Sequence, residues 1–141
     1  FSKTFFSIKF DPEKLPHTYT NFDLEGLEQL KQIISENPGL KGLNVTIPFK
    51  EKIIPFLDRV DKEAKAIGAV NTIKFLKDGR IVGYNTDHYG FARALAAYPP
   101  IKEKTALILG NGGASKAIRY VLDAMGFEYK VVSRTKTNDT I

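Results

Sequence analysis

The segment from Thr105 to Ser133 limits the fold of this 141-residue chain more than any other. Thr105-Ala106-Leu107-Ile108-Leu109 is an unbroken apolar run, which reads as a strand of a parallel sheet covered on both faces. It stops at Gly110-Asn111-Gly112-Gly113-Ala114-Ser115, a glycine-rich turn. Ala114, Ala117, Ile118, Val121, Leu122 and Met125 then repeat at helical spacing, with Gly126 placed as the C-cap, and Tyr129 to Ser133 supplies a second strand. Strand, glycine turn, helix and strand make the opening unit of a dinucleotide-binding sheet. Small residues in such a turn let the amides at the helix start approach a pyrophosphate.

The third glycine of the common G-x-G-x-x-G pattern is replaced by Ser115, and glycines also serve a tight strand-to-helix connection with no ligand. The end of the second strand discriminates further. Where a free ribose 2′-hydroxyl would usually meet Asp or Glu, the chain has Ser133-Arg134-Thr135-Lys136. Two cations and two hydroxyls suit a 2′-phosphate, so NADP(H) is preferred over NAD(H), the other reading being a plain surface Arg-Lys pair.

Upstream, Leu43, Val45 and Ile47 alternate with Asn44 and Thr46, the period of a half-buried strand, and Pro48 suits the first position of a helix. Lys50 then falls in the first helical turn, where exposed amides disfavour an ammonium and so favour release of its proton. The other reading is a solvated lysine beside Glu51. Gly83-Tyr84-Asn85-Thr86-Asp87 closes a further strand and opens a helix marked by Phe91, Ala94, Leu95 and Tyr98. Asp87 is there an N-cap or first-turn carboxylate, or a reactive group, and Asn71 after Gly68-Ala69-Val70 is a strand-end amide or a ligand. A lysine, an aspartate and amide or hydroxyl side chains all fall at strand-to-helix transitions, where open α/β sheets bind ligands.

The rest of the pattern is consistent with one α/β chain of two parts. A helix starts at Ser2 ahead of Phe5, Phe6 and Ile8, a loop follows from Asp11 to Pro16, and Thr18 to Leu24 reads as a strand. Leu24, Leu27, Leu30, Ile33 and Ile34 follow helical spacing until Asn37-Pro38-Gly39. A short helix covers Asp61 to Ile67, and strands Ala69 to Phe75 and Arg80 to Tyr84 join through Lys77-Asp78-Gly79. Pro99-Pro100 sets a boundary between domains at 1–98 and 103–141, the first with a mostly parallel sheet and the second the start of a Rossmann-like unit.

Composition excludes several classes. Hydrophobic residues make up 43% and charged ones 26%, as in a folded soluble chain. No apolar run approaches the roughly 20 residues of a membrane span, so a cytoplasmic protein is expected. Zero cysteines exclude disulfides and thiolate metal sites, and two histidines, His17 and His88, are too few and too isolated to suggest a metal. A net charge of +5 without a long basic run suits small anions rather than nucleic acid.

Asn44-Val45-Thr46-Ile47-Pro48-Phe49-Lys50, Gly68-Ala69-Val70-Asn71-Thr72, Asn85-Thr86-Asp87 with Gly90, Gly110-x-Gly112-Gly113-Ala114 and Ser133-Arg134-Thr135 occur in the order and approximate spacing of the shikimate dehydrogenase family, which the chain resembles over nearly its whole length. The resemblance implies NADPH-dependent, reversible reduction of 3-dehydroshikimate to shikimate in the chorismate route to aromatic amino acids. Lys50 and Asp87 would be the catalytic pair, and Ser2, Thr46 and Asn71, with that pair, would hold the substrate. Gly110, Asn111, Gly112, Gly113, Ala114, Ser133, Arg134, Thr135 and Lys136 would hold NADP(H). Family members are longer, with a first strand and a serine ahead of Ser2 and more strands beyond Ile141. The chain is therefore expected to be a fragment with exposed apolar surface, weakly active or inactive alone, and a monomer or homodimer when whole. Quinate/shikimate dehydrogenase shares the motifs, a non-catalytic ligand-binding module is the alternative of another class, and a methyltransferase leaves Lys50 with Asp87 unexplained.

Overall fold

The computed structural model describes residues 2–134, which carry two sheets. The first has four strands, β1 (Gly42–Asn44), β2 (Arg59–Val60), β3 (Thr72–Phe75) and β4 (Ile81–Tyr84), in the order β1-β3-β4-β2. It is mixed rather than mostly parallel: β2 runs parallel to β4, whereas β1–β3 and β3–β4 are antiparallel. For β3–β4 the reason is the Asp-Gly turn, because so short a connection joins only antiparallel neighbours. Asp78 fixes that turn by accepting from the Arg80 amide at 3.1 Å and from its guanidinium at 2.6 Å. The charge-assisted bond to Arg80 holds the Asp78 carboxyl below its ordinary pKa.

Helices α1 (Ser2–Phe10), α2 (Leu30–Glu36) and α3 (Lys62–Ile67) accompany this sheet, with a single 3-10 turn at Leu27–Gln29 leading into α2. The core joins Leu27 and Leu30 to Ile53, Ala64, Val70 and Ile73, and Leu43, Val45, Phe49 and Leu57 pack around it. Two expectations fail here. Thr18 to Leu24 forms no strand; Tyr19 instead stacks on Phe6, with ring centroids 4.9 Å apart, and its hydroxyl accepts from Asn44 Nδ2 at 3.0 Å. The helix expected from Pro48 is a series of turns followed by a 3-10 turn at Ile54–Phe56, and the Ile47–Pro48 peptide is cis. A helix through this segment would meet Pro55, which has no amide for the carbonyl four residues earlier. The turns still deliver Phe49, Ile53 and Ile54 to the core.

The second sheet pairs β5 (Thr105–Leu109) with β6 (Glu128–Val132) in parallel, joined by α5 (Gly113–Ala124). Ile108, Leu122 and Val131 form its centre, and Ile118 and Tyr129 pack around it. Burial raises the Tyr129 phenol above its ordinary pKa. One face of the sheet is covered, not two: Leu107 is 63% and Leu109 79% exposed. Ala114 and Met125, expected on the buried stripe of α5, are exposed; Gly113, Ala117 and Val121 fill it at steps of four.

Two features join the lobes. Helix α4 (Asp87–Ala96) begins beside the first sheet and packs Phe91 and Leu95 against the core of the second. Ile67 and Ala69 meet Ala117 and Tyr120 in a separate apolar cluster at the seam. No helix among the described residues is long and apolar enough to cross a membrane.

Candidate active site

The ends of β3 and β4 and the turns after β1 bring three polar side chains together through main-chain bonds. The Val45 amide donates to the Asn71 carbonyl at 2.8 Å, the Val70 amide to the Lys50 carbonyl at 2.7 Å and the Asn71 amide to the Tyr84 carbonyl at 3.0 Å. Peptide groups thus fix where residues 50, 71 and 85–87 lie relative to one another, and side chains need only span the last few ångströms.

Lys50 Nζ donates to Asp87 Oδ2 at 2.6 Å, and Asn71 Nδ2 donates to Asp87 Oδ1 at 2.8 Å. The Thr86 amide donates to Asn71 Oδ1 at 2.8 Å, which orients the Asn71 side chain with its NH₂ towards the carboxylate. Asp87 is the first residue of α4, where the exposed amides of the helix start favour a negative charge. The Lys50 side chain is 14% exposed and that of Asp87 32%, so the pair is sheltered but open on one side. An ammonium carries three protons and Asp87 takes one, which leaves two for an oxygen bound beside it. Lys50 lies in a turn, so the helix-start argument for its proton release does not hold; its immediate electrostatic partner is the Asp87 carboxylate.

Asn85 was missing from the expected site residues although it positions the pair. It is 4% exposed, its Nδ2 donates to the Ala69 carbonyl at 3.0 Å, and its Oδ1 accepts from the Asp87 amide at 3.0 Å. The signal available in the sequence was an Asx residue two places before the first residue of a helix. Thr46 is exposed just after β1, and Ser2 is exposed at the start of α1; neither hydrogen-bonds to Lys50, Asn71 or Asp87.

The glycine turn adjoins this cluster. Gly110 has φ 111°, a conformation that side chains rarely tolerate, and its amide bonds to the Val132 carbonyl at 2.7 Å, so the turn and Ser133-Arg134 leave the same edge of the β5–β6 sheet side by side. Thr135 and Lys136 lie outside the described residues. Among the described residues no side chain caps the start of α5, a methyl group placed on Gly112 would have open space around it, and Ser115 Oγ, on a residue 6% exposed, has no hydrogen-bond partner. Lys116 Nζ on α5 reaches back to Glu51 Oε2 at 2.6 Å.

Fold and site together define a class of α/β protein: a lysine–aspartate pair at the strand ends of one lobe, set beside the glycine-rich turn of a second, β-α-β lobe. The chain belongs to the shikimate dehydrogenase family, whose profile, described as the shikimate dehydrogenase substrate binding domain, matches residues 1–73. Shikimate dehydrogenase (NADP(+)) of Aquifex aeolicus is 44% identical over 133 residues, covering 94% of this chain and 44% of that protein. The crystal structure of shikimate dehydrogenase from the same organism superposes with a TM-score of 0.83 at 43% identity, over 96% of this chain and 51% of the other. Shikimate 5-dehydrogenase of Thermus thermophilus, solved in complex with NADP(H) and shikimate, has a TM-score of 0.81 at 38% identity, over 95% and 51% of the two chains. The chain thus spans about half the length, or slightly less, of these relatives.

Proposed function

We propose that this chain is the substrate-binding lobe and the first cofactor-binding unit of an NADP-dependent shikimate dehydrogenase, residues 1–98 and 103–141 respectively, acting in the cytoplasm on 3-dehydroshikimate as monomer or homodimer. The observation that carries the reading is the 2.6 Å contact between Lys50 and Asp87, with Asn71 on the second carboxylate oxygen, next to an uncapped glycine turn. Family membership and the NADP(H) and shikimate complex of the Thermus thermophilus relative support the same assignment.

Reduction of a ketone builds negative charge on its oxygen as hydride arrives at carbon. The carbonyl π pair moves onto oxygen, and Lys50 gives that oxygen a proton, completing the alcohol. Asp87 holds the ammonium in place and accepts a hydrogen bond from a neighbouring substrate hydroxyl. Asn71, Thr46 and Ser2 bind the remaining hydroxyls or the carboxylate.

The glycine turn, residues 110–114, takes the cofactor diphosphate, and Ser133 to Lys136 take the 2′-phosphate. The unpartnered Ser115 Oγ, the uncapped start of α5 and the open space at Gly112 suit an anion there. Bound at this turn, NADPH supplies the hydride.

The test is NADPH oxidation with 3-dehydroshikimate, measured for this chain and for a polypeptide of the relatives' full length that contains it. Lys50→Met in the longer polypeptide is expected to lower kcat by about 100- to 10,000-fold, the usual contribution of a positioned acid, with substrate affinity nearly unchanged. Wild-type turnover in that variant would remove Lys50 from the reaction, and quinate as the preferred substrate in the oxidative direction would reassign the specificity.

A further inference from the structure

Gly113, the first residue of α5, is where the second lobe touches the stem of Lys50. A methyl group placed on it would lie 2.8 Å from Lys50 Cβ, 3.2 Å from Lys50 Cδ and 3.4 Å from Ala69 Cβ. The shortest contact is with an atom fixed to the main chain, so no rotation of the lysine side chain relieves it. Nor can the main chain withdraw freely. The Lys50 carbonyl is bonded to the Val70 amide, and the neighbouring Ala69 carbonyl is bonded to Asn85.

Gly113 also begins a stripe along α5: Ala117, four residues on, and Tyr120, seven residues on, pack against Ile67 and Ala69. The Glu51–Lys116 ion pair joins the same two segments beside it. Gly112 differs, because nothing lies within 4 Å of a methyl placed there, and its φ of −93° is ordinary.

We propose that Gly113 is a positioning residue for Lys50: its missing side chain lets the first turn of α5 close on the lysine stem, which holds Nζ against Asp87. The catalytic consequence rests on the function proposed above; the contact itself does not. An alanine at position 113 pushes the main chain of residue 50 away from α5 and loosens the 2.6 Å pair.

The experiment compares Gly113→Ala with Gly112→Ala by the rate of Lys50 acetylation by acetic anhydride, resolved by mass spectrometry with the exposed Lys102 as internal reference. Lys50 is expected to label several-fold faster in Gly113→Ala and at the wild-type rate in Gly112→Ala. Equal rates in all three proteins would overturn the proposal while leaving the dehydrogenase assignment intact; absence of dehydrogenase activity in the unsubstituted polypeptide of the relatives' full length would sink that assignment and leave the labelling result standing. In active protein, Gly113→Ala is expected to lower kcat at saturating NADPH more than Gly112→Ala does. If Gly113→Ala is too unstable to label, Lys50→Gly in the same background removes the atom that the new methyl meets. The melting temperature then recovers above the sum of the two single losses; simple additivity would overturn the proposal.

Discussion

Asn85 supports the Lys50–Asp87 pair through the main chain of Asp87 rather than through either charged group. Its amide closes the gap between the segment before β3 and the start of α4, and it is almost fully buried. Asn85→Ala strands the Ala69 carbonyl and leaves the Asp87 amide without its side-chain acceptor. A loss of about 1–3 kcal/mol is expected, the usual penalty for an unpaired buried polar group, read as a lower midpoint in urea. Lys50, Asn71 and Asp87 were legible in the sequence because each sits where a periodic run gives way to polar residues. Asn85 was not, since its partner carbonyl is 16 residues away and depends on how β3 and β4 pair. The environment of Lys50 was misread for a similar reason. The local sequence offered Pro48 as a helix start, while the main chain there forms turns and the nearest charge comes from 37 residues downstream.

At the scale of elements, an apolar run specifies a strand but not how many of its faces are covered. Ile108 and Leu109 are neighbours in β5 with opposite fates, one at the centre of the second core and the other 79% exposed. Ile108→Ala is expected to cost about 2–5 kcal/mol, as for other buried aliphatic truncations. Leu109→Ala is expected to stay within about 0.5 kcal/mol of wild type, as surface substitutions do. Urea denaturation of the two variants checks both, and a large loss at Leu109 would mean that its face is covered in solution. The β-α-β unit was legible because one apolar run, one glycine cluster and one helical stripe follow in sequence. Two-residue β2 escaped because it is too short to display any period, and its existence depends on a parallel partner in β4. The antiparallel β3–β4 hairpin followed from Asp78-Gly79, whereas its antiparallel pairing with β1 carried no local signal.

Across the whole molecule, the two lobes meet through small residues. Ala69 and Ala117 are fully buried at the seam, and α4 starts at the Lys50–Asp87 pair and ends in the second core. Ala117→Leu is expected to cost about 1–3 kcal/mol by overpacking this contact and to speed acetylation of Lys50 at the same time, measured by thermal melting and mass spectrometry. The partly exposed Glu51–Lys116 pair contributes far less than this packing, because water screens it.

The bonds from Val45 to Asn71, Val70 to Lys50 and Asn71 to Tyr84 also determine where the polypeptide tolerates changes in length. The β3–β4 hairpin turns back at residues 76–80, at the opposite end of those strands from Asn71 and Tyr84, so insertions there leave the spacing of Lys50, Asn71 and Asp87 alone. One extra residue between 45 and 50 adds up to about 3.5 Å of chain, more than a short ionic contact can absorb.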